Sequence, residues 1–307
     1  MLDLKNVPIL VTGGTGFIGS RLVPSLATAG AQVTVLSRDP ARASRQFGAG
    51  IHCVRHPSEA KEGPPRVVVN LAGAGIADWP WTAARRKELL DSRVAYTDRL
   101  RDSLSDTPPE VLVNASAVGY YGVSESRTFT EEDGPGEGFA AELCRDWEGS
   151  AEAFSALGTR VTCVRIGLVL GPGGLLGRMK LPFSLGLGGR IGHGRQWMSW
   201  VHLDDVVGIF ERSITDPELA GAVNATAPTP VTNAEFTRAL GQVLNRPTLF
   251  PVPAFLLRSL LGQMADELLL AGAHVSPGRA VAAAFPFRHS ELEGALRDAL
   301  GRTAKSG

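Results

Sequence analysis

Cysteine and tyrosine are scarce in this chain of 307 residues, with three of each. The cysteines, Cys53, Cys144 and Cys163, lie far apart and lack the paired spacing of a metal site or a disulfide framework. We therefore expect free thiols in a reducing compartment. No spacing of histidine, cysteine and acidic residues along the sequence predicts a metal site.

An excess of either charge is also lacking, because Lys+Arg and Asp+Glu both total 31. This balance argues against a nucleic-acid partner, which would need a cationic surface. A membrane span needs roughly 20 predominantly apolar residues. The most apolar helical stretch, residues 254–268, is instead interrupted by Arg258, Gln263, Asp266 and Glu267. Residues 1–5 leave no room for a targeting peptide before the first strand, so we expect a cytoplasmic protein with no membrane partner.

Glycine, by contrast, is abundant, and the most informative stretch is glycine-rich. Residues 11–19 read Val-Thr-Gly-Gly-Thr-Gly-Phe-Ile-Gly, after an apolar run and before a segment with helical spacing. A strand that passes through such a turn into a helix presents unpaired N–H groups and a positive dipole end to a phosphate. We predict that a dinucleotide is bound here, by Gly13, Thr15, Gly16, Phe17, Ile18 and Gly19. The alternative is a glycine-rich turn without a ligand.

Apolar runs alternate with helical patterns through the first half of the chain. The runs at 9–11, 32–36, 67–71, 111–115 and 159–164 lack polar alternation, which is typical of strands covered on both faces. Helices are predicted at 17–29, 83–105 and 140–157, with Pro24 favouring a kink in the first. This order predicts an α/β fold with a Rossmann-like, doubly wound parallel sheet and its ligand crevice at the strand carboxyl ends.

The character of the chain changes after the glycines at 171–174. We therefore predict a dinucleotide-binding domain over 1–171, to which residues 197–225 return, and a smaller C-terminal α/β substrate-type domain over 172–307. Residues 186–194 form either a mobile loop over a site or a plain surface loop. A strand at 197–203 leads into a helix capped by Asp204 or Asp205, and Thr232 with Glu235 forms a capping box for another helix.

The end of the second predicted strand bears on the choice of cofactor. An NAD-selective site places an acid there to bind the adenosine ribose, whereas Ser37 and Arg38 occupy this end. A guanidinium can clamp a 2′-phosphate through a bidentate, charge-assisted pair, and the hydroxyl adds a donor. The pair therefore favours NADP(H), unless Arg38 is only a solvated loop charge. Asp39, which follows, is the objection to this interpretation.

Five motifs, in this order along the chain, resemble the extended short-chain dehydrogenase/reductases. They are residues 12–19, Asn-Leu-Ala-Gly at 70–73, Tyr-Tyr-Gly at 120–122, Arg-Ile-Gly-Leu-Val-Leu-Gly-Pro at 165–172 and Trp-Val-His-Leu-Asp-Asp at 200–205. The pattern is most similar to the atypical epimerase family proteins, which are nucleoside-diphosphate-sugar epimerase-like. Residues 252–300 resemble the C-terminal domain of unknown function in that branch. Ala74 stands where related sequences often carry an acid.

The resemblance implies further cofactor contacts and exposes a gap in the catalytic machinery. Leu71, Ala72 and Gly73 would let the cofactor lie close to the backbone, and Ala115, Ser116 and Ile166 would complete the crevice. The family's proton-transfer pair is Tyr-x-x-x-Lys, in which the lysine lowers the pKa of the tyrosine. Here Phe139 and Leu143 occupy the two positions, and no lysine lies between Lys87 and Lys180.

Only a few polar residues remain as substitutes for that pair. Tyr121 or Tyr120, with Ser116, could transfer a proton, although Tyr121 as an aromatic wall of the crevice is favoured. Arg165 would bind an anionic substrate or pair with an Asp or Glu at a helix end. His202 is interpreted as a structural residue that orients the next helix. The remaining residues that could line a substrate pocket are His193, Arg195 and Trp197.

Two functions follow as hypotheses. The first is an NADP(H)-dependent oxidoreductase or epimerase-like enzyme that acts on a small molecule which the sequence does not identify. The second is a regulatory protein that senses NADP(H) without turning it over. The family resemblance also suggests a homodimer formed through the helices at 83–105 and 140–157, with a monomer left open because both segments are highly charged.

Overall fold

The computed structural model describes residues 1–61 and 63–302. Its centre is a parallel sheet of seven strands, in the order β11-β7-β5-β4-β1-β2-β3. Three two-stranded sheets, β8 with β10, β9 with β12 and β6 with β13, lie outside it. The strands are β1 (Pro8–Thr12), β2 (Gln32–Leu36), β3 (His52–Val54), β4 (Val67–Asn70), β5 (Val111–Ala117), β6 (Thr128–Phe129), β7 (Arg160–Ile166), β8 (Leu168–Leu170), β9 (Trp197–Met198), β10 (Trp200–His202), β11 (Gly221–Ala225), β12 (Val231–Thr232) and β13 (His274–Val275).

Helices connect these strands and cover both faces of the main sheet. They are α1 (Gly19–Thr28), α2 (Pro40–Phe47), α3 (Ala83–Leu90), α4 (Tyr96–Ser103), α5 (Phe139–Glu152), α6 (Gly174–Ser184), α7 (Leu203–Thr215), α8 (Asn233–Leu244), α9 (Ala254–Leu261), α10 (Gln263–Leu268), α11 (Gly278–Ala282) and α12 (Leu292–Ala299). A π-helical turn, Asp91–Ala95, joins α3 to α4, and short 3₁₀ segments include Val118–Tyr121 and Ala153–Leu157.

Burial on both faces explains why the predicted strands lack polar alternation. In β1, Ile9 and Val11 pack into a core that includes Leu22 of α1 and Phe210 of α7. The intervening Leu10 packs on the opposite face, in a core that also contains residues of α4, β5 and β7. Each strand of this kind must therefore be apolar at successive positions. The predicted doubly wound α/β fold is confirmed.

The predicted elements agree with the structure within a few residues at most ends. The first helix begins at Gly19 rather than residue 17, because the glycine turn continues through Ile18. Pro24 lies inside that helix on its exposed side. The prediction of a single helix over 83–105 missed the π-helical turn, and α2, β3 and the edge strand β11 were not predicted.

A second core lies beside the main sheet. It joins α6, α8 and α12 around the buried side chains of Trp200 and Phe236. The helix that follows β10 is capped by His202, whose Nδ1 accepts a hydrogen bond from the Asp204 N–H at 3.2 Å. The prediction that Asp204 or Asp205 caps this helix is therefore wrong, because Asp205 instead accepts backbone hydrogen bonds from Arg288 and His289. The interpretation of His202 as a residue that orients α7 agrees with this contact.

Residues 249–302 lie against both cores rather than apart from them. Phe285 and Phe287 pack on the core of the main sheet, and β13 pairs with β6. In residues 1–61 and 63–302, no helix combines the length and the apolar character that crossing a membrane would require.

The predicted capping box of α8 is present and gives a test of the fold. Thr232 Oγ1 accepts from the Glu235 N–H at 3.3 Å, and Glu235 Oε2 accepts from the Thr232 N–H at 2.7 Å. Thr232→Ala removes one of these bonds, so we expect the free energy of unfolding to fall by about 1 kcal/mol in a urea titration. The exposed Thr107, changed to Ala, is the control, and equal effects of the two substitutions would contradict the capping role.

Candidate functional site

The glycine turn after β1 is pressed against the chain that leaves β4. Gly13 has a φ of +64°, and a Cβ placed on it would collide with the backbone oxygen of Leu71. A Cβ on Gly19 would collide in the same way with the backbone of Gly14. These collisions leave room only for glycine at positions 13 and 19. At Gly13 the left-handed backbone conformation is a second reason. The turn after β1 and the chain that leaves β4 therefore contact each other through backbone atoms, at the carboxyl ends of the two strands.

The order in which the chain adds strands reverses between β1 and β4, at the place where this contact lies. Strands β2 and β3 lie on one side of β1, and β4, β5, β7 and β11 lie on the other. The register aligns the carboxyl ends, since Thr12 pairs with both Leu36 and Asn70. Ligands of doubly wound sheets bind in the crevice at such a switch point.

The N-terminus of α1 faces this crevice without a side-chain cap. Its N-cap residue, Ile18, is in the αR conformation, and no side chain among the described residues caps the helix. Within the described residues, the N–H groups of Ser20, Arg21 and Leu22 donate to backbone oxygens of residues 16 and 18. Those of residues 17–19 have no backbone acceptor there and are free for a ligand. Thr15 and Gly16, just before the helix, are exposed. The turn can therefore offer backbone donors and a positive dipole end to an anion.

Arg38 is exposed at the end of β2. Within the described part of the chain, no carboxylate forms an ion pair with it. Asp39 is occupied as the N-cap of α2, where its carboxylate accepts from the Arg42 N–H at 3.0 Å. The Ser37 hydroxyl accepts from the Asp39 N–H at 3.2 Å. Asp39, which was the objection to NADP(H), is therefore engaged in capping α2.

Buried amides hold the central strand ends together. Asn70 Oδ1 accepts from Thr12 Oγ1 at 2.6 Å, and Asn70 Nδ2 donates to Asn114 Oδ1 at 2.6 Å. All three side chains are fully buried. Because buried polar groups are costly unless paired, this row fixes the relative positions of β1, β4 and β5. Neither Asn70 nor Asn114 was predicted from the sequence to have this role.

The partly buried guanidinium of Arg93 lies beside Gly73, where the sequence predicts a backbone contact with the cofactor. The Arg93 guanidinium is 3.1 Å from where a Cβ of Gly73 would stand, and Arg93 Nη2 donates to Ala74 O at 2.9 Å. The same guanidinium lies 5.1 Å from the ring centroid of Trp147. Burial lowers the pKa of Arg93 from its ordinary value. The structure thus provides a cation near the crevice that sequence reasoning missed.

A buried ion pair lies at the carboxyl ends of β5 and β7. Arg165 donates to both carboxylate oxygens of Glu148, at 2.9 and 2.8 Å, and Ser116 Oγ donates to Glu148 Oε1 at 2.6 Å. Arg165 Nη1 also donates to the Tyr121 hydroxyl at 2.9 Å, which in turn donates to Asn224 Oδ1 at 2.7 Å. Of the two alternatives left open for Arg165, the structure shows pairing with an acid, but Glu148 lies in the body of α5 rather than at a helix end.

This network determines what the two candidate tyrosines can do. The Tyr121 side chain is 2% exposed, and its burial raises the pKa to about 12 despite the opposing effect of Arg165. It is therefore a poor base near neutral pH. Tyr120 is half-buried, with the Arg165 guanidinium 3.5 Å from its ring centroid. No hydrogen bond joins its hydroxyl to any residue in 1–61 or 63–302.

Apolar packing fills the positions of the family's proton-transfer pair. Phe139 and Leu143 are both buried in one cluster with Trp81 and Met264. The rings of Phe139 and Trp81 meet edge to face, with centroids 4.9 Å apart. The neighbouring Cys144 is also buried, and burial raises its pKa to about 11. Neither Phe139 nor Leu143 can transfer a proton.

The predicted cofactor residues lie at corresponding ends of the parallel strands. Leu36 pairs with Thr12 just before Ser37, and Ser116 pairs with Arg165. Ala117 pairs with Ile166 at the adjacent position, so Ala115, Ser116 and Ile166 share this edge with the glycine turn. His193 and Trp197 both contact Glu125, where His193 Nε2 is 3.3 Å from Glu125 Oε1 and Trp197 Nε1 donates to Glu125 O. Glu148 and Asn224 were missed, although an acid on the buried face of a predicted helix was a usable signal for Glu148.

Comparison with known families agrees with this geometry. Residues 9–225 match the sequence profile of the NAD dependent epimerase/dehydratase family. The chain belongs to this family. Residues 252–299 match a domain of unknown function, DUF1731. The resemblance to epimerase family proteins with such a C-terminal domain is therefore confirmed.

Individual relatives of this epimerase-family chain cover nearly all of it. An epimerase family protein of Mycobacterium bovis is 40% identical over 300 residues, covering 95% of this chain and 97% of the relative. The chloroplastic SDR39U1 homolog of Arabidopsis thaliana is 41% identical, covering 95% and 86% of the two chains. The crystal structure of human epimerase family protein SDR39U1 (isoform 2) with NADPH has a TM-score of 0.85 and 33% identity, covering 96% of this chain and 99% of the human one.

The buried ion pair yields a stability prediction. Glu148→Ala would leave the Arg165 guanidinium buried without its carboxylate, so we expect the free energy of unfolding to fall by about 3 kcal/mol. Chemical denaturation followed by circular dichroism measures this loss.

The control for that substitution lies on the same helix. Arg145 and Asp146 form an exposed pair at 2.8 Å, for which Asp146→Ala should cost less than about 1 kcal/mol. Similar losses in the two variants would show that the buried pair contributes no more than a surface pair.

Proposed function

We propose that this protein binds NADP(H) at the carboxyl edge of its main sheet and is an oxidoreductase-like or epimerase-like protein acting on a small molecule. The observation that carries the proposal is the backbone junction between Gly13 and Leu71, with the uncapped α1 on one side and Arg38 on the other. A phosphate-binding turn after β1 and an exposed guanidinium after the neighbouring β2 suit the two phosphate positions of NADP(H).

The residues present fit the cofactor. The N–H groups of the turn from Gly13 to Gly19 would hold the pyrophosphate, and Ser37 with Arg38 would hold the 2′-phosphate. Leu71, Ala72 and Gly73 would contact the cofactor through their backbone, with Ala115, Ser116 and Ile166 further along the edge. The human relative of 33% identity was crystallised with NADPH, which supports the same assignment here. The cofactor supplies hydride transfer when it is bound.

The chain's own groups would then position a substrate and handle a proton. The Ser116 hydroxyl donates its proton to Glu148 and would therefore orient a substrate only by accepting a hydrogen bond from it. Arg165 is neutralised by Glu148. Burial keeps Tyr121 protonated although Arg165 acts in the opposite direction on its pKa, so Tyr121 acts as a wall of the site. Tyr120 carries the phenol that is left to donate a proton, and it lies against the Arg165 cation.

A second candidate function rests on the apolar cluster around Phe139 and Leu143. Two buried apolar side chains occupy the positions of the proton-transfer pair and stabilise the fold, whereas the glycine turn and Arg38 of the cofactor-binding edge are present. This arrangement suits a protein that senses the NADP⁺/NADPH ratio without turnover.

Cofactor selectivity tests the binding proposal. Arg38→Ala removes charge-assisted hydrogen bonds to the 2′-phosphate, which are worth about 1.5–3 kcal/mol, so NADPH affinity should fall about 10- to 100-fold. NADH affinity should stay unchanged, because NADH lacks this phosphate. Isothermal titration of both cofactors measures the difference.

Arg45→Ala is the matched control, since Arg45 is an exposed cation on the neighbouring α2. It should leave both affinities unchanged. A wild-type protein that binds neither cofactor, or an Arg38→Ala variant that loses NADPH and NADH equally, would refute the assignment.

Turnover separates the enzyme from the sensor. With NADPH and a panel of carbonyl substrates, Tyr120→Phe should lower kcat about 100-fold without changing NADPH affinity, because it removes only a proton donor. Tyr121→Phe should instead lower the free energy of unfolding by about 1–3 kcal/mol, since it leaves buried partners unpaired.

The alternative predicts a different result in the same samples. A sensor would show no turnover of any substrate in either variant or in the wild type. Its amide hydrogen exchange would differ between the NADP⁺ and NADPH states. That combination would reject the enzymatic part of the proposal and leave the binding part intact.

A further inference from the structure

Four side chains from distant parts of the sequence converge beside the start of α7. His202 and Asp204 lie at the junction of β10 and α7, His289 follows α11, and Asp298 lies on α12. Each offers a nitrogen or oxygen atom, and these atoms all lie within 4.8 Å of one another. The two imidazole rings lie against each other, with centroids 3.8 Å apart and planes tilted by 37°.

One member of this cluster is buried with an unused polar atom. His202 is 3% exposed, and its Nε2 makes no hydrogen bond to any residue in the described parts of the chain. Asp298 Oδ2 is 3.2 Å from Nε2 but lies in a direction that forms no hydrogen bond. A buried polar atom without a partner is costly and calls for an explanation, of which a bound ion is one.

We propose that His202, Asp204, His289 and Asp298 bind a divalent transition-metal ion of the Zn²⁺ class. Two imidazoles and two carboxylates form a mixed nitrogen and oxygen donor set that suits Zn²⁺ in tetrahedral coordination. The spacing of 202, 204, 289 and 298 has no recognisable period, so only the fold brings the donors together.

Ligation changes the role of the His202 ring. Without the ion, Nδ1 accepts from the Asp204 N–H at 3.2 Å and the ring caps α7. Coordination through Nε2 requires the proton to move to Nδ1, which breaks this bond. Arg21 Nε donates to one oxygen of Asp204 at 3.0 Å, which leaves the second oxygen for the ion and makes Arg21 an orienting neighbour.

The site has access to solvent and a structural consequence. His202, Asp204 and Asp298 line a cavity of about 440 Å³, which provides a path for the ion. Asp205 accepts from the His289 N–H at 3.0 Å and so holds the other imidazole near the cavity. Because the donors come from both α7 and the C-terminal segment, the ion would join the two and stabilise the folded state.

Metal titration of the full chain, prepared without a histidine tag and stripped with a chelator, tests the proposal. We expect one Zn²⁺ per chain by calorimetry, a rise in melting temperature on adding Zn²⁺, and a visible spectrum of four-coordinate Co²⁺. His289→Ala and Asp298→Asn should each weaken Zn²⁺ at least about 10-fold. Both positions are partly or fully exposed, so circular dichroism should show intact folds.

His56→Ala and Asp106→Asn are matched controls at exposed positions outside the cluster, and they should bind Zn²⁺ like the wild type. Three results would overturn the proposal. The first is a wild type without stoichiometric Zn²⁺ binding, the second is a Co²⁺ spectrum of six-coordinate, solvated ion only, and the third is equal affinity in the cluster variants and the controls.

Discussion

The buried pair of Arg165 and Glu148 is the interaction on which the site depends. The exposed fractions of the two side chains are 5% and 13%. Desolvating both charges is expensive, and their attraction repays the cost only with good geometry and additional hydrogen bonds. Here the guanidinium makes two bonds to the carboxylate, Ser116 adds another, and Tyr121 uses a remaining guanidinium donor.

The same pair relates four elements that would otherwise be positioned independently. Arg165 comes from β7, Glu148 from α5, Ser116 from β5 and Asn224, through Tyr121, from β11. Such a network tolerates little displacement, because each group would become a buried polar atom without a partner. A rigid wall at one end of the crevice is the result, and the phenol of Tyr121 is part of that wall rather than a mobile acid.

The sequence predicted the parts of the molecule that are local in character. These parts are the glycine turn, the apolar strands and the capping box at Thr232. Each has a sequence pattern that extends over only a few residues, so a single sequence is enough to recognise it. The network around Arg165 is different, since Glu148 and Asn224 are 17 and 59 positions from it. An arginine after a strand has many potential partners, and only strand order and helix rotation select one.

Helix capping gives a similar lesson at closer range. Asp204 and Asp205 were expected to cap α7, because short acidic side chains are favoured at an N-terminus. The cap is His202, since the entering strand places its ring over the first turn and Asp205 is held by the backbone of residues 288 and 289. Local preference was overridden by a contact with a segment more than eighty residues away.

Binding and proton transfer have separate physical requirements in this fold. Binding needs bare backbone at the strand ends, and Gly13 and Gly19 meet that need through sterics alone. Proton transfer needs a group whose pKa is matched to its task. Burial moves the pKa of Tyr121 away from such a match, and Phe139 and Leu143 have no proton to give. A chain of this fold can therefore retain cofactor binding, whereas proton transfer depends on very few residues.

The C-terminal segment is part of this site rather than an appendage to it. Glu267 of α10 accepts from the N–H groups of Phe139 and Ala140, at 3.2 and 2.9 Å, and so places a carboxylate at the positive end of α5. Gly138 leaves the space for this approach, since a Cβ there would lie 2.9 Å from the Glu267 carboxylate. Because α5 also carries Glu148, a contact made by the domain of unknown function helps to set the position of the buried pair.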